Sequence, residues 1–501
     1  MEHAEIIKEN TRLKAEIATL KNKLKWLERH VFGRKSEKQK ETNPLQLSFD
    51  FGDDLEPVET PEYEEIAVKA HKKRVKKRPN NLVTKEGLRF EEGTPIETIQ
   101  VKPEGIESLP DDQVMVRHHY KIAQNPKTYK VLHIEYHSIK RGDEIFNPPV
   151  QPAVFDKSIA DVSFLAMMLL DKFLYHLPLY RQHQRLKAAG IHVSRASLVN
   201  WVTRLGQLLA PIADAQKASI LLSAILAIDE TPVKAGRDLA KKKMKTGCIW
   251  PMIGDQNEIL FSFTPTKNFS DLTRVIGDYQ GTLLTDGNTT YKAYCEACSD
   301  RTLANCWVHT RRYFERAEQD QPDGSKKALG MIGALYHIED KIKQKKLEGV
   351  EKRDFRQTHS LPIVDQFFTW VNDQIRRSNG SSKEPFNIAL NYAAVREKML
   401  RIYLDDPDCH PDTNHLERAL RVIPMGRKNW LFAWNEIGAD TLCIIQSLIV
   451  TCKMQQIDPY VYLVDVLQRV GEYPASKVAD LTPRRWKEKF ADNPMKSLID
   501  V

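Results

Sequence analysis

The pattern of apolar and polar positions divides the chain into segments of distinct character, and the first segment is a heptad repeat. Two positions in each seven are apolar in nearly every repeat. They hold Ile6, Leu13, Leu20 and Leu27 in one set and Asn10, Ile17, Leu24 and Val31 in the other. The flanking charges pair with opposite signs, as in a parallel dimer. Residues 1–33 are therefore predicted to form a dimerising coiled coil; a single amphipathic helix packed on its own globule is the alternative.

Residues 34–83 form a polar and acidic linker that ends in a dense basic run. Prolines and charged side chains leave little in the linker that would pack. The run places six cations in seven positions, and they are Lys72, Lys73, Arg74, Lys76, Lys77 and Arg78. Such a run suits phosphates and releases counterions on binding. A solvated linker would have the same composition, so the run favours nucleic acid only because the later segments agree with it.

Short strands with alternating apolar positions are predicted over residues 84–155. They cover Ile96–Val101, Gln113–Lys121 and Thr128–Tyr136, and prolines mark the corners between them. This segment is predicted to be a small β module. It contains no cysteine.

Residues 156–215 are predicted to be helical, with the spacing of a helix-turn-helix in their second part. Arg181–Ala189 would form one helix, Gly190 the turn, and Ser194–Leu205 a second helix capped by Ser194. The residues predicted to contact DNA fall near the start of that second helix and are Arg195, Ser197 and Asn200. Any helical hairpin with a glycine shares this spacing.

Two apolar runs each end close to an aspartate. Leu221–Pro232 has the pattern of a buried central strand that ends near Asp229, and Gly281–Gly287 leads to Asp286. Two carboxylates at the ends of neighbouring buried strands are unfavourable unless a cation or hydrogen-bond donors compensate them. Either aspartate alone would be an ordinary cap or turn residue. Together with a carboxylate downstream, Glu417, they suggest a metal site.

The order of elements around these aspartates predicts the fold class. Three strands are predicted in a meander, at Ser223–Lys234, Gly247–Ile253 and Glu258–Thr264. They are followed by a helix at Leu272–Asp278, the strand before Asp286, a helix at Tyr291–Cys298 and a strand at Thr302–Val308. A mixed sheet between helices, with aspartates on its first and fourth strands, is the order of an α/β ribonuclease-H-like core. We expect this core over residues 216–453.

The remainder of that segment is predicted to be mostly helical. Residues from about 310 to 405 are highly charged and have the pattern of a helical insertion. A helix then begins at Asn414, with Glu417 and Arg421 as an i,i+4 pair on one face. An apolar helix at Gly438–Thr451 is expected to close the sheet. Residues 454–501 are predicted to form a helical, basic tail.

Composition refines this picture only slightly. The 501 residues are 41% hydrophobic and carry a formal net charge of +8, which mildly favours a polyanionic partner. None of the cysteines precedes Cys248, so no disulfide framework is expected and a reducing compartment fits. There is no amino-terminal signal pattern, and the longest apolar runs, around Ile220–Ile228 and Leu442–Cys452, are shorter than a membrane span. These features predict a cytoplasmic protein.

Several short motifs follow one another in a fixed order: Leu177–Gln182, Asp229–Lys234, Thr285–Gly287, Cys306–Arg312, Asn414–Arg418 and Arg427–Phe432. In that order they resemble the transposases of the insertion sequence 66 family, over nearly the whole chain. Family members often carry a small zinc module with paired cysteines between the coiled coil and the helical region. Residues 84–155 lack cysteine, which excludes a cysteine-based zinc module there.

The resemblance implies a catalytic triad of Asp229, Asp286 and Glu417 that binds two Mg²⁺ ions, with Mn²⁺ as a substitute. Such an enzyme would cut DNA at the ends of its mobile element and join the freed 3′-hydroxyl to target DNA by two-metal phosphoryl transfer. Its partners would be DNA, a second copy of the chain through the coiled coil, and accessory proteins of the same element, at the bacterial nucleoid. Further DNA contacts are expected at His309, Arg311, Arg312, Arg421, Arg427, Lys428 and Trp430.

A zinc site elsewhere is the less favoured interpretation of four residues. The spacing of Cys295, Cys298, Cys306 and His309 would allow a tetrahedral site. Two of these cysteines, however, lie on a predicted amphipathic helix, where cysteine is often an ordinary core residue.

Two other classes of protein share most of these features. A metal-dependent DNA nuclease without strand transfer would use the same carboxylates. A catalytically silent DNA-binding repressor would use the coiled coil, the basic run and the helix-turn-helix. The presence of all three carboxylates argues against the silent repressor.

Overall fold

The computed structural model describes residues 82–83, 88–90, 93–102, 114–124, 128–141, 144–148, 153–155, 158–238, 243–378, 383–433 and 435–500. The predicted coiled coil over 1–33 and the basic run Lys72–Arg78 lie outside the described residues. Within the described part the chain is a mixed α/β protein, as the sequence predicts.

The first strands are β1 (Leu82–Val83), β2 (Arg89–Phe90), β3 (Ile96–Val101), β4 (Val114–Gln124), β5 (Tyr129–Arg141) and β6 (Glu144–Phe146). Strands β3, β4, β5 and β6 form one sheet, which we call the small β sheet. In it β5 runs parallel to β3 and antiparallel to β4 and β6. The three strands predicted here are present, and β4 and β5 extend beyond their predicted ends. Successive side chains of a strand point to opposite faces, and near the turn between β4 and β5 both faces of this sheet are apolar. Ile122 and Val131 pack into the main core on one face, and Leu132 and Ile134 pack with Leu498 and Ile499 on the other.

The helical segment contains α1 (Val162–Phe173), α2 (Leu179–Ala188), the short strand β7 (Ile191–His192) and α3 (Arg195–Ile220). Gly190 adopts φ +76° at the turn before β7, a conformation that glycine adopts without strain. Ser194 caps α3, since its Oγ accepts a hydrogen bond from the Ser197 N–H at 3.0 Å. The predicted end of this helix at Leu205 is wrong, because its buried apolar stripe continues through Leu209 and Ile212.

The central sheet is built from β8 (Ile225–Ile228), β9 (Thr231–Asp238), β10 (Lys243–Ile253), β11 (Ile259–Thr264), β12 (Gly281–Thr285) and β13 (Arg301–Asn305). Its order is β11–β10–β8–β12–β13, and β9 also pairs with β10. β8, β12 and β13 are parallel to one another, whereas β10 is antiparallel to both of its neighbours in that order. The sheet therefore brings the carboxyl ends of β8 and β12 to the same edge.

The single strand predicted at Ser223–Lys234 is interrupted at Asp229 and Glu230. The register of β8 and β9 against β10 is nevertheless the same on both sides of the interruption. Asp229 lies opposite Pro251 and donates its N–H to the Pro251 carbonyl at 3.3 Å. Proline has no N–H to return the bond, which accounts for the break. The predicted strand Thr302–Val308 is also too long, because a helix begins at Trp307.

Helices flank and extend this sheet. They are α4 (Phe269–Ile276), α5 (Thr289–Glu296), α6 (Trp307–Ala317), α7 (Pro322–Lys345), α8 (Gly349–His359), α9 (Leu361–Arg377), α10 (Pro385–Ala394) and α11 (Glu397–Asp405). From α6 onward they pack around aromatic side chains that include Phe314, Phe367 and Phe386. Trp307 joins this group to α11, since its indole N–H donates to the Leu400 carbonyl at 2.9 Å.

The chain ends in α12 (Asn414–Leu420), α13 (Val422–Trp430), α14 (Glu436–Met454), α15 (Pro459–Arg469), a 3₁₀ helix (Ala475–Leu481) and α16 (Pro483–Lys489). Helix α14 covers the edge strand β11: Ser447 Oγ accepts from the Phe261 N–H at 2.8 Å and Thr451 Oγ1 accepts from the Ile259 N–H at 3.1 Å. These bonds occupy main-chain donors that an open edge would expose.

Helix α14 is longer than the apolar run seen in the sequence. Contrary to the prediction, its length and composition would allow it to cross a membrane, and it is the one such helix among the described residues. Of its apolar window, however, 67% is buried inside the structure. Its packing on β11 and α3 makes it a core helix of this fold.

Candidate active site

Two aspartates meet at the edge of the central sheet. Asp229 follows β8 directly and Asp286 follows β12 directly, and these two strands are parallel neighbours. The carboxyl ends of parallel neighbours lie side by side, so the two side chains converge. Carboxylate oxygens of Asp229, Glu230 and Asp286 lie within 4.8 Å of one another. The structure thus gathers three acidic side chains at one point.

Glu230 is the member of this group that the sequence did not indicate. In a regular strand, consecutive side chains point to opposite faces, so the neighbour of Asp229 would point away. The interruption between β8 and β9 removes that alternation. Both oxygens of Glu230 are hydrogen-bonded, to Asn288 Nδ2 at 2.6 Å and to the Tyr291 hydroxyl at 2.6 Å. Glu230 therefore ties this edge to the start of α5.

The crowding of carboxylates changes the acidity of Asp229. Burial, together with the negative charges of Asp286, Glu230 and Glu417, raises the pKa of Asp229 to about 7, although the Glu230 N–H, which donates to Asp229 at 2.7 Å, acts to lower it. Ionised together, these groups repel one another in a poorly solvated place. A hard divalent cation with oxygen ligands would relieve that repulsion. The residues present therefore fit Mg²⁺ or Mn²⁺.

Glu417 lies on α12, close enough to influence Asp229 but outside the tight group of three. Its Oε2 accepts a hydrogen bond from Arg312 Nη2 at 2.5 Å. Its Oε1 is buried, has no hydrogen-bond partner and lies 3.8 Å from His309 Nε2. The predicted pairing of Glu417 with Arg421 is wrong, because α12 ends at Leu420 and Arg312 is the cation that Glu417 contacts.

The basic partners of Glu417 come from the start of α6. His309 and Arg312 are three positions apart on this helix, so they share a face toward Glu417. Burial lowers the pKa of His309, and the positive charge of Arg312 lowers it further, while Asp286 and Glu417 oppose this. The net effect favours the neutral form of His309. Arg311 points elsewhere and pairs with Glu315 at 2.8 Å.

The loop after β12 is held by the helical segment between α7 and α12. The Tyr392 hydroxyl donates to the main-chain carbonyl of Asp286, and Arg396 Nη2 donates to the Gly287 carbonyl at 2.7 Å. The Tyr313 ring stacks on Tyr392 with 4.0 Å between centroids. Gly287 has φ +97°, and a Cβ there would collide with Arg396. No sequence pattern indicated Tyr392 or Arg396 as part of this site.

The other residues predicted to contact DNA occupy two further places. Arg195 is exposed at the start of α3, with its guanidinium 5.8 Å from the Tyr180 ring centroid. Ser197 serves the α3 cap and Asn200 is exposed one turn later. The structure does not gather these three with the carboxylates; they belong to the predicted helix-turn-helix.

The α13 region reaches back toward the carboxylates. Arg427 donates to the main-chain carbonyl of Pro232, which follows Asp229 by three positions. The Trp430 indole covers Gly426, where a Cβ would collide with the ring. Arg421 and Lys428 are exposed on the same helical region.

The four candidate zinc ligands are not brought together. In the described part of the chain, two groups of three or more His, Cys, Asp or Glu ligand atoms lie within 4.8 Å of one another, and neither contains a cysteine. The Cys306 thiol instead lies 3.4 Å from the Thr413 N–H and hydroxyl. Burial raises the pKa of Cys295 and of Cys306 to about 11, so both are thiols at neutral pH. Cys295 and Cys306 are buried core residues, whereas Cys298 lies just beyond the end of α5 and is half-buried.

Comparison with known proteins gives consistent results along the chain. A family model described as "Transposase IS66 family" matches residues 157–441, one described as "IS66 C-terminal element" matches 447–484, and "Transposase C of IS166 homeodomain" matches 19–82. The uncharacterized proteins y4jD and y4hP of Sinorhizobium fredii are 28% and 27% identical, over 68% and 74% of this chain and 69% and 70% of their own lengths.

A search of solved structures finds the Drosophila P element transposase strand transfer complex. The match covers 60% of this chain and 93% of that chain at 11% identity, with a TM-score of 0.28.

Proposed function

This chain belongs to the insertion sequence 66 family of transposases, and from that membership we propose that it cuts DNA at the ends of its mobile element and joins the freed 3′-hydroxyl to target DNA. The observation that carries this proposal is the meeting of Asp229 and Asp286 at the ends of the parallel strands β8 and β12. Asp229, Asp286 and Glu417 would be the catalytic residues. The resemblance read from the sequence motifs is confirmed at the level of the family.

The sheet order supports a ribonuclease-H-like core. In the order β11–β10–β8–β12–β13, β10 alone runs against the others, so a meander leads into parallel strands linked by helices. This strand order supports the ribonuclease-H-like core predicted from the element order, and β9 would be an addition to it. On this proposal the helices α7 to α11 are an insertion that supports the loop carrying Asp286.

Three carboxylates would hold the divalent ions. Asp229 is central, since the charges of both Asp286 and Glu417 influence its pKa. The Glu417 Oε1 atom has no hydrogen-bond partner and is available as a ligand. Mg²⁺ or Mn²⁺, when bound, supplies an activated water and stabilises charge on the leaving oxygen. Glu230 would position rather than bind, because Asn288 and Tyr291 occupy its two oxygens.

Basic side chains next to these carboxylates would receive the DNA backbone. Arg312 holds Glu417 in the free protein and presents its remaining guanidinium N–H groups toward a phosphate. The lowered pKa of His309 favours its neutral form, so His309 would lie beside the DNA backbone without adding charge. Arg427, which donates a hydrogen bond to the Pro232 carbonyl, would contact the DNA backbone on the other side of the carboxylates.

Several parts of the proposal rest on the sequence alone. We propose that residues 1–33 make a homodimer and that Lys72–Arg78 contact phosphates without sequence preference. Arg195, Ser197 and Asn200 would read the element ends. Accessory proteins of the same element would join the complex, and the whole would act at the bacterial nucleoid.

The test is a cleavage and joining assay with labelled element ends, a plasmid target and Mg²⁺, with and without accessory proteins of the element. The wild type should cut and join, whereas Asp229→Asn, Asp286→Asn and Glu417→Gln should bind ends without cutting them. Double variants should be no worse than single ones, because residues that act as a unit are not additive. Asp340→Asn, an exposed aspartate of α7, is the matched control and should be fully active.

The alternatives give different outcomes in the same assay. Cutting without joining would identify a nuclease, and specific binding without cutting in the wild type would identify a repressor. Loss of end binding together with cleavage in all three variants would mean that the carboxylates hold the fold together.

A further inference from the structure

A second group of metal-ligating side chains lies on the small β sheet, outside the proposed active site. Strands β4 and β5 are antiparallel, with His118 opposite Glu135, Tyr120 opposite His133 and Val116 opposite His137. Directly opposed residues share a face, and so do alternate residues of one strand. His118, His133, Glu135 and His137 therefore project from the same face.

The distances among three of these side chains match those of a metal site. His118 Nδ1 lies 2.9 Å from His133 Nε2 and 3.5 Å from Glu135 Oε1, and the distance from His133 Nε2 to Glu135 Oε1 is 3.8 Å. A tetrahedral zinc ion with bonds of about 2.0–2.1 Å holds its ligand atoms about 3.4 Å apart. The observed distances bracket that value, so one ion fits between the three atoms with little movement.

The surroundings of the group favour a bound ion over a plain hydrogen-bond cluster. The His137 Nε2 atom is buried, has no hydrogen-bond partner and lies 3.9 Å from Glu135 Oε2. A small shift of Glu135 on binding an ion would bring its Oε2 within hydrogen-bond distance of this otherwise unsatisfied atom. The Tyr120 ring stacks on His133 at 4.4 Å and 3°, which fixes the orientation of the imidazole. His133 and Glu135 are mostly buried, while His118 is 51% exposed and gives an ion access from solvent.

We propose that His118, His133 and Glu135 bind one divalent transition metal ion, with His137 as the positioning residue of Glu135. Two imidazoles and a carboxylate, without thiolate, suit Zn²⁺ and its neighbours better than Mg²⁺. A residue next to a ligating carboxylate fixes that carboxylate, as His137 would. The ion joins the middle of β4 to the middle of β5 and stabilises the sheet.

The test uses the full-length protein, freed of metal with a chelator and titrated with Zn²⁺ by calorimetry. The titration is repeated with Co²⁺, whose visible spectrum reports tetrahedral coordination. His118→Ala, His133→Ala and Glu135→Gln should weaken Zn²⁺ binding at this site by at least about 100-fold, and His137→Ala by about 10–100-fold. Glu135→Gln keeps the side-chain volume, so it separates ligand loss from misfolding.

Two controls make the result specific. His119→Ala changes a neighbouring histidine on the opposite face and should leave Zn²⁺ binding unchanged. Asp229→Asn removes a carboxylate of the other group and should also leave this binding intact, which separates the two sites. Unchanged Zn²⁺ affinity in both His118→Ala and His133→Ala, or equal loss in His119→Ala, would overturn the proposal.

Discussion

Replacing Asp229 by Asn should stabilise the metal-free protein while it abolishes DNA cleavage. The carboxylate lies among Glu230, Asp286 and Glu417, and burial together with their charges raises its pKa from 3.8 to about 7. One pKa unit corresponds to about 1.36 kcal/mol. The shift of about three units therefore sets an upper limit of about 4 kcal/mol on the cost of ionising Asp229 in the folded state. Asp229 is half-buried, and solvent screening reduces the expected gain to about 2 kcal/mol.

The pH dependence of this gain has a definite sign. The folded pKa lies above the unfolded value, so the folded state holds a proton between about pH 4 and pH 7 that the unfolded state has released. Stability of the wild type relative to Asp229→Asn should fall as the pH rises through this window. The difference in melting temperature should be near zero at pH 4 and largest above pH 7, where the variant melts several degrees higher.

Mg²⁺ should reverse the order. An ion that binds only the folded state stabilises by about 2.7 kcal/mol at one hundred times its dissociation constant. The wild type should gain this stabilisation and Asp229→Asn should lose most of it. Thermal unfolding at pH 8, with EDTA and then with Mg²⁺, measures both effects, and Asp340→Asn should melt like the wild type throughout. A variant that melts lower than the wild type in EDTA would refute the reasoning, because it would show that the Asp229 carboxylate supports the fold.

Three further outcomes are expected. Tyr392→Phe removes the hydroxyl that donates to the Asp286 carbonyl. The rate of end cleavage should fall about tenfold, as expected for the loss of one hydrogen bond, and end binding should be unchanged. An unaltered cleavage rate would show that Tyr392 does not support the site. Arg195→Gln should reduce the preference for element ends over random duplex in a competition gel-shift assay, whereas equal loss on both DNAs would count against base reading. Leu13→Pro should break the heptad helix and abolish dimers in sedimentation, and an unchanged mass would contradict the coiled coil.

The sequence predictions that rest on local patterns agree best with the structure. The alternation in Ile96–Val101 and the apolar run before Asp286 each identified a strand that the structure contains. Ser194 caps a helix as its residue type predicts. At Asp229 the prediction failed because of a tertiary contact: Pro251 on the neighbouring strand interrupts the strand there, and no pattern within the apolar run indicates it.

The same distinction between local patterns and tertiary contacts applies to the candidate site. By itself, the sequence determined that Asp229 and Asp286 each end a strand, because hydrophobic period and turn residues are properties of adjacent positions. Only the tertiary structure decided which side chains surround them. Arg312 and Glu417 are 105 positions apart, and 106 positions separate Tyr392 from Asp286, yet each pair is in contact. Such contacts depend on how strands pair and how helices cross, and no spacing along the chain encodes them. The same holds for His118 and His133, which meet because β4 and β5 pair in one register.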